Sequence, residues 1–346
     1  MAKEKMRSWV MSGFGRANLS WAEVPVPEAG PGEVLVKVEA VSLNYRDRLV
    51  VENGMGNELS FPFTPGSDLA GRIVATGPGA SRFKSGDRVI SHFTTSWQDG
   101  ELQAIKGNYG LALGAPLLGV LSNYVAMPQD WLASAPSSLD AVEASTLPVA
   151  GLTAWFSLAE LGHLKAGETV LVQGTGGVAL FGAQLAAAHG ADVIVTSSSS
   201  EKLARLRGLL GAGVRLHGID RRQHAAWGEE ALRLTGGRGV DHLLEMAAGD
   251  LTQSMTALRL GGRLSAIGII DATDYRIPAF PLLVKNIVVQ GIFVGHRRAL
   301  DDLVRAVDRL QLKPVIDKVY DAADLPAALD HLQRGPFGKI VLRFES

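Results

Sequence analysis

The stretch Thr169–Lys202 reads TVLVQGTGGVALFGAQLAAAHGADVIVTSSSSEK, and the rest of the chain is interpreted around it. Its first residues form a short apolar, β-rich run, which is typical of a buried parallel strand. A glycine cluster comes next, then an alanine-rich segment with helical spacing, then a second β-branched run. The order strand, glycine turn, helix, strand predicts one βαβ unit of about 30 residues.

The glycine cluster has the composition of a dinucleotide-binding turn. Gly174 permits a tight exit from the strand, and Gly176 has no Cβ, so the backbone can approach a pyrophosphate. The phosphates would face the positive end of the helix that follows. The alternative is a glycine turn that only packs, but the flanking strands and helix favour a cofactor site. The residues that we predict to form it are Gly174, Thr175, Gly176, Gly177 and Val178.

The end of the second strand indicates which cofactor binds. Enzymes that use NAD usually place Asp or Glu there to accept the ribose hydroxyls, whereas this chain has Ser197 followed by Ser198. Hydroxyl groups there, with Lys202 beyond them, suit a 2′-phosphate, and Arg221 after the third strand adds to the same site. The sequence therefore predicts NADP(H). The serines also suit a helix N-cap with Lys202 solvated, and both interpretations can hold.

Composition limits the classes of protein that the chain can belong to. Its 346 residues suffice for about two domains, and a net charge of −1 gives no sign of nucleic-acid or membrane-surface binding. The N-terminal MAKEKMRSWVMSG has no apolar h-region, so we expect no signal peptide and a cytoplasmic location. The absence of cysteine excludes disulfides, thiolate nucleophiles and thiolate-bound zinc.

The chain order indicates two architectures. Residues 1–135 are β-rich and punctuated by glycine, and we expect Phe93–Gly119 to form a long surface loop or a lobe. After Lys202, strands alternate with helices, including a helix at Leu251–Leu260 and a last strand at Ile287–Phe293. This alternation predicts an α/β fold with a doubly wound parallel sheet, which the C-terminal segment no longer fits.

Seven segments in this order resemble the medium-chain dehydrogenase/reductase superfamily: GPGEVLVKVEAVSLNYRD, PGSDLAGRIVATGPGASRFKSGDRV, LPVAGLTAW, VLVQGTGGVALFGAQLA, LTGGRGVDHLLE, LGGRLSAIG and GKIVL. The resemblance runs nearly end to end. It implies a GroES-like, β-rich catalytic domain formed by residues 1–149 and 296–346. A Rossmann domain, residues 150–295, is then inserted, with the active site in the cleft.

The resemblance also implies a zinc-free member. The zinc alcohol dehydrogenases of this superfamily hold their catalytic zinc with Cys, His and Cys, and the matching positions here are Asn44, Ser67 and Val149. The eight histidines do not cluster at metal-ligand spacing, so we expect no metal site. Among zinc-free members, the chain is similar to the quinone oxidoreductases, zeta-crystallins and enone reductases.

Loss of zinc favours particular substrates. Zinc stabilises an alkoxide as a Lewis acid, whereas quinones and α,β-unsaturated carbonyls give delocalised anions that hydrogen-bond donors can stabilise. We therefore expect an NADPH-dependent, zinc-independent quinone or enone reductase. The alternatives are a zinc-free alcohol dehydrogenase or ketone reductase, and a crystallin-like protein that binds NADPH without turnover.

Candidate donors lie in the former zinc segment. Asn44 carries an amide that can bond the nicotinamide ribose or the substrate oxygen, and Tyr45 is the candidate acid; a tyrosine packed at the domain rim is the other interpretation. Tyr124 matches a position near the cleft in the family, although core packing explains it equally well. The resemblance adds three cofactor-binding residues, Thr153, Gly268 and Lys339.

The strand Ile287–Phe293 is apolar and comes last in the predicted sheet, so it would be an exposed edge. In similar proteins two such edges pair across a two-fold axis. We expect a homodimer and a small-molecule substrate.

Overall fold

The structure is a computed structural model, and it describes residues 4–103, 111–210, 213–270 and 272–345. The chain forms two compact units. The first combines Met1–Leu152 with Val294–Ser346, and the second is Thr153–Phe293. These bounds lie within three residues of the domain limits expected from the sequence.

The strands in chain order are β1 (Lys5–Met11), β2 (Leu19–Pro25), β3 (Glu33–Leu43), β4 (Asp68–Thr76), β5 (Arg88–Ser91), β6 (Tyr124–Pro128), β7 (Leu132–Ser134), β8 (Thr169–Gln173), β9 (Asp192–Ser197), β10 (Leu216–Asp220), β11 (Val240–Glu245), β12 (Gly249–Asp250), β13 (Leu258–Ala266), β14 (Tyr275–Arg276), β15 (Val288–Gly291), β16 (Ile316–Asp321) and β17 (Lys339–Arg343). The helices are α1 (Tyr45–Asn53), α2 (Ala141–Ala144), α3 (Leu152–Trp155), α4 (Gly177–Ala188), α5 (Ser200–Leu210), α6 (Trp227–Leu234), α7 (Thr252–Ala257), α8 (Ala279–Val284), α9 (Arg297–Leu310) and α10 (Leu325–Gln333).

The first unit is built on a seven-stranded mixed sheet. Its order is β16-β17-β3-β4-β5-β7, and β6 also pairs with β3. β3 is the central strand, and its alternating burial places Val34, Val36 and Val38 in the core. The last strand of the chain, β17, pairs antiparallel with the end of β3. The C-terminal segment therefore completes the sheet that the N-terminal segment begins.

The second unit is a six-stranded parallel sheet of order β10-β9-β8-β11-β13-β15. Its central strand, β8, is buried along its whole length, as the apolar run Val170–Val172 predicts. The strand order reverses between β8 and β11, which is where parallel sheets of this kind bind ligands. The predicted fold class, a doubly wound parallel sheet beside a β-rich unit, is confirmed.

Two local predictions are wrong. The helix expected at Leu251–Leu260 ends at Ala257, because Leu258 starts β13 and pairs with β11; strand pairing overrides the helical spacing there. The described part of Phe93–Gly119 is not a surface loop, since Phe93 and Leu113 are buried in it. Residues 104–110 of that segment lie outside the described residues.

Helices in the described ranges are all too short or too polar to cross a membrane.

Candidate functional site

The glycine turn of the second unit leaves open space at the start of a helix. Gly174 follows β8 with a φ of 80°, which favours glycine, and its N–H donates to Thr196 O at 2.7 Å. Gly176 is the N-cap of α4, and no side chain caps that helix. A Cβ built on Gly174 or Gly176 would meet nothing within 4 Å. The first-turn N–H groups of α4 have no intrahelical partners, so the residues present fit a cofactor pyrophosphate.

The serine run after β9 forms a helix cap. Ser197 is buried, and its Oγ accepts the Ser199 N–H at 3.1 Å. The Ser199 Oγ in turn accepts the Lys202 N–H at 3.3 Å at the start of α5. Ser198 is exposed and Lys202 is half-buried. The capping interpretation is therefore confirmed, and it leaves the exposed Ser198 hydroxyl beside the cap.

Arg221 lies beside this cap. Its N–H donates to Ser197 O at 2.8 Å, which fixes the start of the segment after β10. Its Nε is buried and has no hydrogen-bond partner within the described residues. Buried polar atoms are nearly always paired in native proteins, so an orphaned guanidinium N–H indicates a missing acceptor. An anionic group of the cofactor is an acceptor of the right kind.

The sequence analysis missed Asp220, the last residue of β10. It lies in register with Ser197 on β9. Its carboxylate accepts the Ser200 Oγ–H at 2.5 Å and the Arg222 N–H at 2.9 Å. These hydrogen bonds lower the pKa of Asp220 to about 2, and the bond from Ser200 has the largest effect. A carboxylate thus does stand at the adenosine side, although it is already bound to Ser200 and Arg222.

The two further cofactor candidates in this unit are placed differently. Thr153 is buried in α3, and its carbonyl accepts the Ser157 Oγ–H at 2.7 Å. Gly268 follows β13, and a Cβ there would lie 2.0 Å from the Met246 carbonyl oxygen. The Gly268 N–H donates to Glu245 O at 3.1 Å. Glycine is therefore required at position 268 by backbone packing, whatever else it contacts.

A second buried acid that the sequence analysis missed is Glu245, at the carboxyl end of β11. Its Oε2 accepts from Gln173 Nε2 at 2.7 Å and from Ser254 Oγ at 2.5 Å. Its Oε1 accepts the Ala247 N–H at 3.0 Å. Gln173 immediately precedes the glycine turn, so this network fixes the two strand ends that flank the turn. The sequence signal for this network is an amide residue at the end of β8, Gln173, and an acidic residue at the end of β11, Glu245.

In the first unit, Asn44 is held by a lysine from the last strand. Asn44 follows β3 and precedes α1. Lys339, the first residue of β17, donates from Nζ to Asn44 Oδ1 at 2.6 Å and to Leu43 O at 2.7 Å. Lys339 is only 4% exposed. Burial lowers its pKa, and the nearby carboxylates Asp68 and Asp47 oppose that effect.

Asp68 bonds two of the three positions that the sequence matched to zinc ligands, Ser67 and Val149, and the third, Asn44, reaches Ser67. Its Oδ1 accepts the Ser67 Oγ–H at 2.7 Å, and its Oδ2 accepts the Val149 N–H at 3.2 Å. Asn44 Nδ2 lies 3.5 Å from Ser67 Oγ, and the Asn44 side chain is near enough to Asp68 to help lower its pKa. Burial raises the pKa of Asp68, while Lys339 and these hydrogen bonds oppose the rise. One carboxylate therefore joins Asn44, Ser67 and Val149.

Two charged residues of α1 complete the surroundings of Asn44. Asp47 Oδ2 accepts the Asn44 N–H at 2.7 Å, and burial raises the pKa of Asp47 to about 6. Arg46 donates to the carbonyls of Leu113 and Ala115 at 2.9 and 3.1 Å. These bonds anchor the start of α1 to the segment that follows residue 110.

Tyr45 is the first residue of α1 and is half-buried. Its Oη accepts from Arg48 Nη2 at 3.1 Å, and the Arg48 guanidinium carbon lies 4.9 Å from its ring centroid. Since the hydroxyl accepts this bond, its own hydrogen remains to be donated. Tyr45 and Asn44 are thus adjacent hydrogen-bonding residues at one helix start.

Tyr124 is not brought to the same place. It begins β6 and lies in register with Lys37 on β3. Lys37 precedes Asn44 by seven residues of extended chain, which corresponds to roughly 20 Å. Strand register therefore separates Tyr124 from Asn44 along β3, and its expected position near the cleft stays a prediction.

The residues present do not fit a zinc ion. An amide, a hydroxyl and an apolar side chain occupy positions 44, 67 and 149, whereas zinc takes thiolate, imidazole or carboxylate ligands. Among the residues that the structure describes, no three His, Asp or Glu side chains converge in a group able to hold a metal.

Two family models match this chain. Residues 30–137 match the alcohol dehydrogenase GroES-like domain, and residues 177–309 match the zinc-binding dehydrogenase model.

Relatives cover the chain almost completely. A zinc-type alcohol dehydrogenase-like protein of Schizosaccharomyces pombe is 36% identical over 97% of each chain. A quinone oxidoreductase of Rattus norvegicus is 27% identical over 92% of each. The crystal structure of a candidate alcohol dehydrogenase from Sinorhizobium meliloti is 54% identical with a TM-score of 0.94, covering 99% of this chain and 100% of that one.

Proposed function

The chain belongs to the medium-chain dehydrogenase/reductase superfamily, and on that premise we propose that it is an NADPH-dependent, zinc-independent reductase of quinones or α,β-unsaturated carbonyls. The observation that carries the proposal is the hydrogen-bonded cluster of Asn44, Ser67 and Val149 around Asp68. The Ser67 hydroxyl and the Val149 N–H already donate to Asp68, so the second Nδ2 hydrogen of Asn44 is the donor that this cluster offers an oxygen anion, and the cluster lacks a ligand set for zinc.

Hydrogen-bond donors alone suit activated substrates. An ordinary ketone concentrates charge on one oxygen as it is reduced, and a Lewis acid is the strongest way to stabilise that charge. A quinone or enone spreads the charge over a conjugated system, so that one or two preorganised donors suffice. Hydrogen-bond donors are strong enough to stabilise the spread charge of a reduced quinone or enone, and this supports these compounds as substrates.

The roles of the residues follow from their free hydrogens. When bound, the nicotinamide cofactor supplies the hydride. Asn44 donates an amide N–H, and Tyr45 donates its hydroxyl hydrogen, to the substrate oxygen as negative charge develops there. Arg48 holds the Tyr45 hydroxyl from its other side.

The preference for NADPH rests on the adenosine side of the second unit. The turn Gly174–Val178 would hold the pyrophosphate. The exposed Ser198, Lys202 and the unpartnered Nε of Arg221 are the donors for a 2′-phosphate. Asp220 is the group that would favour NADH, but its bonds to Ser200 and Arg222 already occupy it.

A second candidate function is a zinc-free alcohol dehydrogenase or ketone reductase. The name of the S. pombe relative, zinc-type alcohol dehydrogenase-like protein, favours alcohol dehydrogenase chemistry. The name of the rat relative, a quinone oxidoreductase, favours the first candidate.

Consumption of NADPH with a panel of quinones, enones, aldehydes and ketones tests the proposal. With one enone, a saturated ketone product supports reduction of the activated double bond, and an allylic alcohol supports the second candidate. Tight NADPH binding with no turnover of any panel member would instead indicate a non-catalytic binding protein.

We also propose that the protein is a homodimer. β15 lies at one end of the parallel sheet and presents a strand edge. The preceding helix α8 exposes Phe280 and Leu283, which are 76% and 74% exposed. An apolar edge of this kind is seldom left bare, and an identical edge in a second copy complements it by symmetry.

A further inference from the structure

We propose that Lys339 and Asp68 are positioning residues that fix the amide of Asn44, so that this side chain presents an N–H to the substrate and never its carbonyl oxygen. The role of the N–H toward substrate rests on the proposed function. The orientation itself does not, because it follows from the contacts of the first unit alone.

The lysine end fixes the oxygen of the amide. An ammonium group donates three hydrogen bonds and accepts none, so the Asn44 atom 2.6 Å from Lys339 Nζ is the carbonyl oxygen. A second bond, to Leu43 O at 2.7 Å, holds the ammonium in place. Because Lys339 is buried, water does not compete for these bonds.

The opposite end fixes the nitrogen. Ser67 has one hydroxyl hydrogen, and it is donated to Asp68 Oδ1 at 2.7 Å. Toward Asn44, 3.5 Å away, the Ser67 oxygen is therefore an acceptor, and the atom facing it must be Nδ2. The Val149 N–H holds the other oxygen of Asp68 at 3.2 Å. Asp68 thus determines which way the Ser67 hydroxyl points, and Ser67 in turn determines the amide.

The two ends act together. A cation at the carbonyl oxygen and an anion near the amide nitrogen polarise the group in the same direction, which strengthens its N–H as a donor. One Nδ2 hydrogen is directed at Ser67 and Asp68, and the second is left for a substrate oxygen. A carbonyl oxygen in that place would repel the negative charge that develops during reduction.

The orientation can be measured without activity. The chain has seven asparagines, so selective ¹⁵N labelling gives few side-chain amide signals, and Asn44→Ala identifies the one of interest. In Asp68→Asn and in Lys339→Met we expect hydrogen exchange of the Asn44 side-chain amide to rise by about tenfold or more, as loss of a charge-assisted bond implies. Unchanged exchange in both variants would overturn the proposal.

Each single variant leaves one buried charge without its counterpart, and folding can suffer. The double variant Lys339→Met/Asp68→Asn removes both charges and keeps the interior neutral, and it must show the same fast exchange. Asp241→Asn is the matched control, because Asp241 is a buried carboxylate bonded by Arg238 and the Thr169 N–H in the second unit. Its loss should leave the Asn44 signal unchanged.

Kinetics then separate the positioning role from the proposed function. On any enone or quinone that the wild type reduces, Asn44→Ala and Asp68→Asn should each lower kcat by about 10²-fold with little change in KM, and Asn44→Ala/Asp68→Asn should lower it no further. If the double variant instead lowers kcat by the product of the two single losses, Asp68 does not act through Asn44. If the wild type reduces nothing, the proposed function fails while the exchange experiment still decides the orientation.

Discussion

Lys339 Nζ lies 2.6 Å from Asn44 Oδ1, although 295 residues of sequence separate the two. The contact joins the first residue of the last strand to the residue that follows β3. It places a buried cation directly on the amide that we assign as a donor.

Tyr45→Phe should slow the reaction without abolishing it. Removal of one donor to a developing oxygen anion typically lowers kcat by about 10²–10³-fold, and solvent can still deliver the proton. NADPH affinity should stay the same, because the hydroxyl is assigned to substrate. Steady-state kinetics and a fluorescence titration of NADPH measure both.

Tyr320→Phe is the control for this experiment. Tyr320 lies on β16, its Oη is 3.1 Å from His331 Nδ1, and it has no assigned role in the site. Full activity of Tyr45→Phe would show that Tyr45 only packs, and the role would then pass to a water held by Asn44.

Lys202→Ala and Arg221→Ala should weaken NADPH more than NADH. A charge-assisted bond to a phosphate contributes about 1.5–3 kcal/mol, so the ratio of the two dissociation constants should change by about tenfold or more. Isothermal titration with both cofactors measures the ratio. Arg207→Ala, an exposed cation on the same helix as Lys202, should leave it unchanged. Equal losses for both cofactors would remove the support for a 2′-phosphate site.

Purified protein should contain substoichiometric zinc, and chelators should not affect its activity. The reason is the ligand chemistry at Asn44, Ser67 and Val149, none of which offers zinc a thiolate, imidazole or carboxylate. Mass spectrometry of the metal content and an assay after treatment with a chelator check this. One zinc per chain, lost together with activity on chelation, would contradict it.

Light scattering should give twice the chain mass of 36.7 kDa. Leu283→Glu places a charge on the apolar face of α8 and should shift the protein toward the monomer. Leu209→Glu is the matched control, since Leu209 is an exposed leucine on α5. A wild-type monomer at micromolar concentration would rule out the edge pairing.

Gly268→Ala and Gly208→Ala should change stability in opposite directions. A Cβ at position 268 meets a backbone carbonyl oxygen at 2.0 Å, so overpacking should lower the free energy of unfolding by about 1–3 kcal/mol. Gly208 lies inside α5 with nothing within 4 Å of its Cβ position, and alanine there should raise that free energy by about 0.5–1 kcal/mol. Urea denaturation without cofactor measures both. A stable Gly268→Ala variant would show that the backbone around Met246 can move.

The parts of the fold that the sequence predicts are those encoded locally. The βαβ unit at Thr169–Ser197 follows from apolar runs and glycines that lie next to each other, and the structure places β8, α4 and β9 there. The prediction of helix at Leu258–Leu260 is wrong because these residues start a strand, and the partner strand, β11, is not adjacent in the sequence.

The site is predicted less completely, because its contacts join distant segments. The bonds from Lys339 to Asn44 and Leu43 could not be predicted from the sequence, and its expected role in binding the cofactor stays a prediction. Asp220 escapes the sequence analysis because only sheet register brings it beside Ser197. Asn44 and Tyr45 are adjacent in the sequence at the start of α1. Because their proximity is local, the sequence alone identifies both residues.

The pairing of β17 with β3 has a consequence for how the protein is made. On the ribosome, Asn44 emerges 295 residues before Lys339. At about 5–20 residues per second this is an interval of about 15–60 s. During this interval the Asn44 amide lacks the Lys339 ammonium, and β3 lacks the strand β17. Residues Thr153–Phe293 emerge in the same interval as one continuous segment that is able to fold first. A nascent chain can therefore fold Thr153–Phe293 before Lys339 emerges to hold the Asn44 amide.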